Sequence, residues 1–73
     1  MVEVLTKGPS CVQCTATTRK LKALGVDFFE TDLDETNLQR AKDLGHTSAP
    51  VVIAPNGEHW SGFDPGRLEQ LAA

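Results

Sequence analysis

The chain has 73 residues, with seven basic and ten acidic side chains giving a formal net charge of −3. That length holds one domain, residues 1–73, whose small core forms by burying only about 60% of the surface an unfolded chain exposes. With 40% apolar and 23% charged residues it is neither a disordered segment nor, given its acidic balance, a chain built for nucleic acid, and no run nears the roughly 20 apolar residues of a membrane span.

Val2 to Thr6 alternates and is rich in β-branched residues, which predicts a strand. Lys7-Gly8-Pro9-Ser10 breaks it with turn residues, and Ser10 is a candidate helix cap. No residue from Cys11 to Leu24 breaks a helix; Cys14, Thr17, Leu21 and Leu24 fall on one face at helical spacing, and Gly25 ends the run. Asp27 to Asp32, around Phe28 and Phe29, predicts a second strand. Asp34 is placed to cap a helix whose apolar positions are Leu38, Ala41 and Leu44, closed by Gly45. Val51-Val52-Ile53-Ala54 is an uncharged apolar run, the pattern of a central strand buried on both faces. Pro55-Asn56-Gly57 is a turn, and Glu58-His59-Trp60 starts the returning strand of a hairpin. Asp64-Pro65 fits a cap followed by proline at the first helical position, leading to Leu68 and Leu71. The predicted order is β-α-β-α-β-β-α.

The chain opens directly into a strand with no signal-peptide pattern, so the expected compartment is the cytoplasm. In a reducing compartment, two cysteines three positions apart read as catalytic or metal-binding rather than as a structural disulfide. Cys11-Val12-Gln13-Cys14 opens a predicted helix directly after a strand and a tight turn. At this spacing the two sulfurs can meet within one helical turn. Cys11 lies in the first turn, where unpaired N–H groups and the positive end of the helix dipole favour an anion, and hence a thiolate. Cys14 shares the core-facing stripe, so it is expected to be the less exposed. Cys11 is then the attacking nucleophile, and Cys14 resolves the mixed disulfide. Lys7 stands where it adds positive potential near Cys11, or is simply a solvated lysine at a strand end.

The other reading of the pair is as small buried hydrophobes, which the turn-and-helix context disfavours. A zinc site needs about four ligands. The remaining candidates, His46 and His59, are thirteen residues apart and read as surface histidines, so no metal site is assigned. Ala49-Pro50 precedes the buried strand, where proline is tolerated because no ladder donor is needed. Trp60-Ser61-Gly62-Phe63 taken alone reads as a strand end and turn with core aromatics.

Together, Cys11-Val12-Gln13-Cys14, Ala49-Pro50-Val51-Val52 and Trp60-Ser61-Gly62-Phe63 resemble the NrdH-type redoxins of the thioredoxin superfamily, over essentially the whole chain. General glutaredoxins are similar too, but they usually carry Pro-Tyr between the cysteines and a Gly-Gly and Asp segment that holds glutathione; here Val12-Gln13 and Trp60-Ser61-Gly62-Phe63 stand at those places. The resemblance implies an α/β thioredoxin fold with a four-stranded mixed sheet and three helices. It implies a cis Pro50 facing the cysteines, and an Ala49 backbone that pairs with an extended substrate segment. It implies a monomer without bound cofactor, recharged by thioredoxin reductase and so indirectly by NADPH. The implied target is the large subunit of class Ib ribonucleotide reductase, with Lys7, Val12, Gln13 and Trp60 to Asp64 as structural and docking positions. One departure is Asp64-Pro65 where the family commonly has Arg-Pro: an aspartate cannot make that arginine's hydrogen bonds, although it can cap the last helix. Two alternatives stay open on sequence, a glutathione-dependent glutaredoxin and a metal or iron–sulfur module ligated by Cys11 and Cys14.

Overall fold

The computed structural model describes residues 1–8 and 10–72; Pro9, expected in the first turn, lies outside the described residues. The elements are β1 (Val2–Thr6), α1 (Val12–Leu24), β2 (Phe28–Asp32), α2 (Glu35–Asp43), β3 (Val51–Ile53), β4 (His59–Ser61) and α3 (Pro65–Leu71). They follow the order that the sequence pattern predicts. The strands form one sheet in the order β2-β1-β3-β4. β1 pairs with β2 in parallel and with β3 antiparallel, and β3 with β4 antiparallel.

Because successive strand residues point to opposite faces, β1 serves two cores. Val2 and Val4 pack with Leu21 of α1, Val52, Trp60 and Leu68 of α3. Leu5 points the other way, onto Val51 and Ala41 of α2. The sheet is thus covered by α1 and α3 on one side and by α2 on the other. Leu5, Leu21, Leu68, Val4, Val51 and Val52 are fully buried, so the apolar β3 run is a central strand as its composition predicts.

Three local expectations are corrected. The N-cap of α1 is Cys11 itself rather than Ser10: Cys11 has extended backbone (φ −85, ψ 107) and its sulfur accepts the Cys14 N–H. In α2 only Ala41 is buried, while Leu38 and Leu44 remain exposed. That helix is held instead by its Asp34 cap and by an Arg40 to Glu3 ion pair at 2.9 Å. The arginine draws the Glu3 carboxyl below its ordinary value. Finally, β2 begins at Phe28, which packs on the core, whereas Phe29 is exposed. Among the described residues no helix is long and apolar enough to cross a membrane.

Candidate active site

The cysteine helix begins where β1 ends. Gly8 adopts a positive φ of 99° in the connecting turn, and its N–H is held by the Thr6 hydroxyl at 2.8 Å. The Cys11 sulfur accepts the Cys14 N–H at 3.3 Å, and the Thr15 hydroxyl donates to the Cys11 carbonyl at 3.2 Å. The sulfur therefore sits at the positive end of a 13-residue helix, where a thiolate satisfies N–H groups that have no partner inside the helix. Both cysteines are free; Cys11 is half-buried and Cys14 is buried. This is the division of exposure the helical stripe predicts.

Burial pushes the Cys14 thiol above its ordinary range, and a hydrogen bond with Cys11 pushes the same way. The nearby Lys7 backbone and Thr6 side chain oppose that rise, and the Cys11 charge adds to it. Lys7 thus acts on Cys14 through its backbone, and its side chain is exposed. A cavity of about 300 Å³ lies beside Cys14, lined by Thr6, Gly8, Thr15, Glu30 and Asp32 as well.

A second segment closes on the helix from the far end of the chain. The Ala49-Pro50 peptide bond is cis, and Pro50 is fully buried. Its carbonyl accepts the Gly62 N–H at 2.8 Å, and the next N–H, of Phe63, donates to Gln13 Oε1 at 3.0 Å. Two hydrogen bonds therefore run from the cis-proline segment through the Gly62-Phe63 turn to a residue between the cysteines. Val12 is 82% exposed and Phe63 39% exposed, which gives this side an apolar rim. Trp60 is buried, with the Arg67 guanidinium 5.4 Å from its ring. Ser61, by strand alternation, faces the α2 side of the sheet. Asp64 caps α3 as expected, accepting the Arg67 N–H at 3.2 Å, and pairs loosely with the Arg67 side chain at 3.7 Å.

Gly62 is required at the centre of this latch. Its φ is 80°, and a Cβ there would lie 3.1 Å from Gln13 Oε1. Gly62→Ala is expected to destabilise the fold by about 1 kcal/mol or more, read as a fall of about 4–8 °C in Tm. Adding Gln13→Ala is expected to relieve part of that loss, which a double-mutant cycle measures.

Sequence reasoning missed Thr6, Thr15 and Asp32 as neighbours of Cys14, and Arg67 as the partner of Trp60. It also placed His46 and His59 on the surface as unrelated residues. They meet: His46 Nε2 lies 2.7 Å from His59 Nδ1, with the rings edge to face at 4.9 Å. Among the described residues no group of three or more His, Cys, Asp or Glu is placed to hold a metal ion. Burial and the neighbouring His59 hold His46 below the usual histidine value. The folded state thus binds fewer protons at His46 than the unfolded chain does, so this stabilisation is complete above the unfolded pKa of about 6.5. It is lost as pH falls through that value and then through the lower folded one. Urea midpoints are expected to fall from about pH 7 to about pH 5.5, and less steeply in His46→Gln.

A glutaredoxin family model matches residues 2–60, from β1 to the tryptophan of β4. No curated protein matches the sequence. Among solved structures, the chain is similar to NrdH-redoxin from Escherichia coli, a glutaredoxin-like protein with a thioredoxin-like activity profile. Identity is 33% over 96% of this chain and 92% of that one, with a TM-score of 0.87. It is also similar to the thioredoxin-like protein BC3987, at 32% identity over 97% and 99% of the two chains, TM-score 0.83. The glutaredoxin of Archaeoglobus fulgidus superposes at 26% identity, covering 96% and 83%, TM-score 0.74. The match across the cysteine helix, the cis-proline segment and all four strands makes the chain a member of the glutaredoxin family, with the thioredoxin fold.

Proposed function

We propose that this redoxin is a monomeric cytoplasmic dithiol reductase with no bound cofactor or metal. It receives electrons from thioredoxin reductase, and so indirectly from NADPH, and passes them to the large subunit of a class Ib ribonucleotide reductase. The observation that carries the chemistry is the placement of Cys11 as the N-cap of α1, its sulfur on the Cys14 N–H, with the Cys14 thiol buried behind it. Cys11 thiolate attacks one sulfur of the target disulfide and the other leaves as a thiolate. Cys14 then attacks Cys11, forming the Cys11–Cys14 disulfide and releasing the second target sulfur, so two electrons pass in all.

Three features support the choice of partners. Val12-Gln13 separates the cysteines, and Gln13 is engaged by the Phe63 N–H. Trp60 to Phe63 fills the place of a glutathione-holding segment. The similar Escherichia coli NrdH-redoxin has a thioredoxin-like activity profile. Ala49, just outside the β3 register, offers its backbone to an extended target strand, and exposed Val12 and Phe63 supply apolar contacts around Cys11. Asp64 and its partner Arg67 replace a lone cation with a local ion pair, which lowers the positive charge offered to a partner.

A coupled assay of NADPH oxidation on a model disulfide tests the reading. Turnover is expected with thioredoxin reductase and not with glutathione plus glutathione reductase; turnover with glutathione alone makes the protein an ordinary glutaredoxin instead.

A further inference from the structure

The chain has two histidines, and the fold brings both to one point outside the cysteine site. His46 leaves α2 through a helix-ending turn. Gly45, at φ 89°, donates its N–H to the Lys42 carbonyl at 2.9 Å, and the His46 N–H reaches back to the Ala41 carbonyl at 2.9 Å. These bonds satisfy the last carbonyls of the helix and fix where the imidazole starts. His59 opens β4, paired with Ile53 of β3, just past the hairpin bond from the Ala54 N–H to the Glu58 carbonyl at 2.8 Å. Each ring thus hangs from backbone that is already hydrogen-bonded, and each is half-buried.

His46 Nε2 and His59 Nδ1 face each other at 2.7 Å. Among the described residues neither ring makes another hydrogen bond or an ion pair. Two neutral imidazoles at that distance share one N–H: one ring donates it and the other offers a lone pair. When the donor carries its proton on its outer nitrogen instead, two lone pairs meet in the same space, and imidazole lone pairs are ligands for transition-metal ions. The separation selects among those ions. Two nitrogens about 2.0 Å from one ion are about 2.8 Å apart at the right angle of a square-planar or tetragonal centre, and about 3.3 Å apart at the tetrahedral angle of zinc. The observed distance matches the first and falls well short of the second.

We propose that His46 and His59 form a two-imidazole site for a square-planar or tetragonal dication, copper(II) or nickel(II). Copper(II) binds the tighter of the two, following the stability order of first-row ions. His46 ligates through Nε2 and His59 through Nδ1, and the proton they shared moves to the outer nitrogen of the donor ring, so the neutral pair loses no proton to solvent. Water fills the other coordination positions. The ion is therefore taken reversibly from solution and is not a resident cofactor. The site uses neither cysteine and stands independently of the dithiol-reductase reading. It does act on the wall beside the cysteines: the His46 segment runs on to cis-Pro50 and β4 runs on to Gly62, whose N–H the Pro50 carbonyl accepts at 2.8 Å. An ion on the pair is a second tie between the same two segments.

Metal titration of the untagged full chain tests the site, with Cys11 and Cys14 oxidised to their disulfide so that the thiols neither bind nor reduce the ion. Nickel(II) at ten times its dissociation constant is expected to raise Tm by about 6–11 °C. His46→Gln and His59→Gln are each expected to weaken nickel(II) binding about tenfold or more in calorimetric titration, because one arm of the chelate is gone. With one equivalent of copper(II), electron paramagnetic resonance is expected to show two equatorial imidazole nitrogens, unchanged on dilution and no longer paired in denaturing urea. The chain has no other histidine, so that spectrum decides the matter whether or not the variants fold. Nickel(II) affinity in either variant equal to that of the unmodified protein overturns the assignment and leaves adventitious binding. So does a copper(II) spectrum with fewer than two imidazole nitrogens, or with two that depend on protein concentration. Zinc(II) bound more tightly than nickel(II) refutes the assigned geometry.

Discussion

Cys11→Ser is expected to reduce disulfide reduction to the uncatalysed background while the melting curve hardly moves, and the structure supplies both halves of that result. The sulfur has two roles in the fold, as nucleophile and as the acceptor that caps α1. Serine keeps the second role, being among the preferred N-cap residues, but its hydroxyl is not ionised near neutral pH. The chemistry is lost and the helix start is kept. Cys14→Ser is expected to fail differently. Cys11 still attacks, but nothing resolves the adduct, so one equivalent of target accumulates in a covalent complex seen by mass spectrometry under non-reducing conditions. Full activity in Cys11→Ser would leave a binding domain with an incidental cysteine pair.

The second large effect concerns stability. Leu21 is fully buried and joins α1 to Val2, Val4, Val52, Trp60 and Leu68 in one cluster. Leu21→Ala is expected to cost about 3–5 kcal/mol from lost burial and the cavity left behind. A chain of this length has roughly 4–11 kcal/mol in total, so that single change takes much or all of it. Urea unfolding is expected to show a midpoint collapsed toward zero denaturant, whereas Leu21→Met, which conserves volume, costs less than about 1.5 kcal/mol. The helix that carries both cysteines is the one at stake. Activity in Leu21→Ala should therefore fall in proportion to the folded fraction measured on the same sample.

The element order was readable because local signals agreed with one another. The alternation of Val2 to Thr6, the helical stripe of Cys14, Thr17 and Leu21, and the Asp34 and Asp64 caps each specify the same answer as the fold around them. What failed was, with one local exception at the start of α1, what depends on distant partners. Ser10 is a better cap than cysteine by residue type, but at Cys11 the extended backbone and the sulfur on the Cys14 N–H fix the helix start. Leu38 and Leu44 have helical spacing, but α2 lays only Ala41 into the core. The histidine contact joins the segment after α2 to β4 across thirteen residues, and no local pattern encodes it. The cysteine motif was legible for the same reason its surroundings were not: its own geometry is local, while the cavity beside Cys14 takes its wall from two strands brought together only by sheet pairing.

The bond from Phe63 to Gln13 spans 50 positions, and Val4 meets Val52 across a similar stretch. These contacts have to close large loops before they return any stabilisation. A growing chain that has just emerged beyond Cys14 thus carries both thiols and neither β3 nor the proline wall. Until the segment from Ala49 to Phe63 docks, the pair is an ordinary exposed dithiol, open to oxidation by whatever it meets. Competence in thiol–disulfide exchange therefore waits on residues far downstream of the cysteines and arrives all at once.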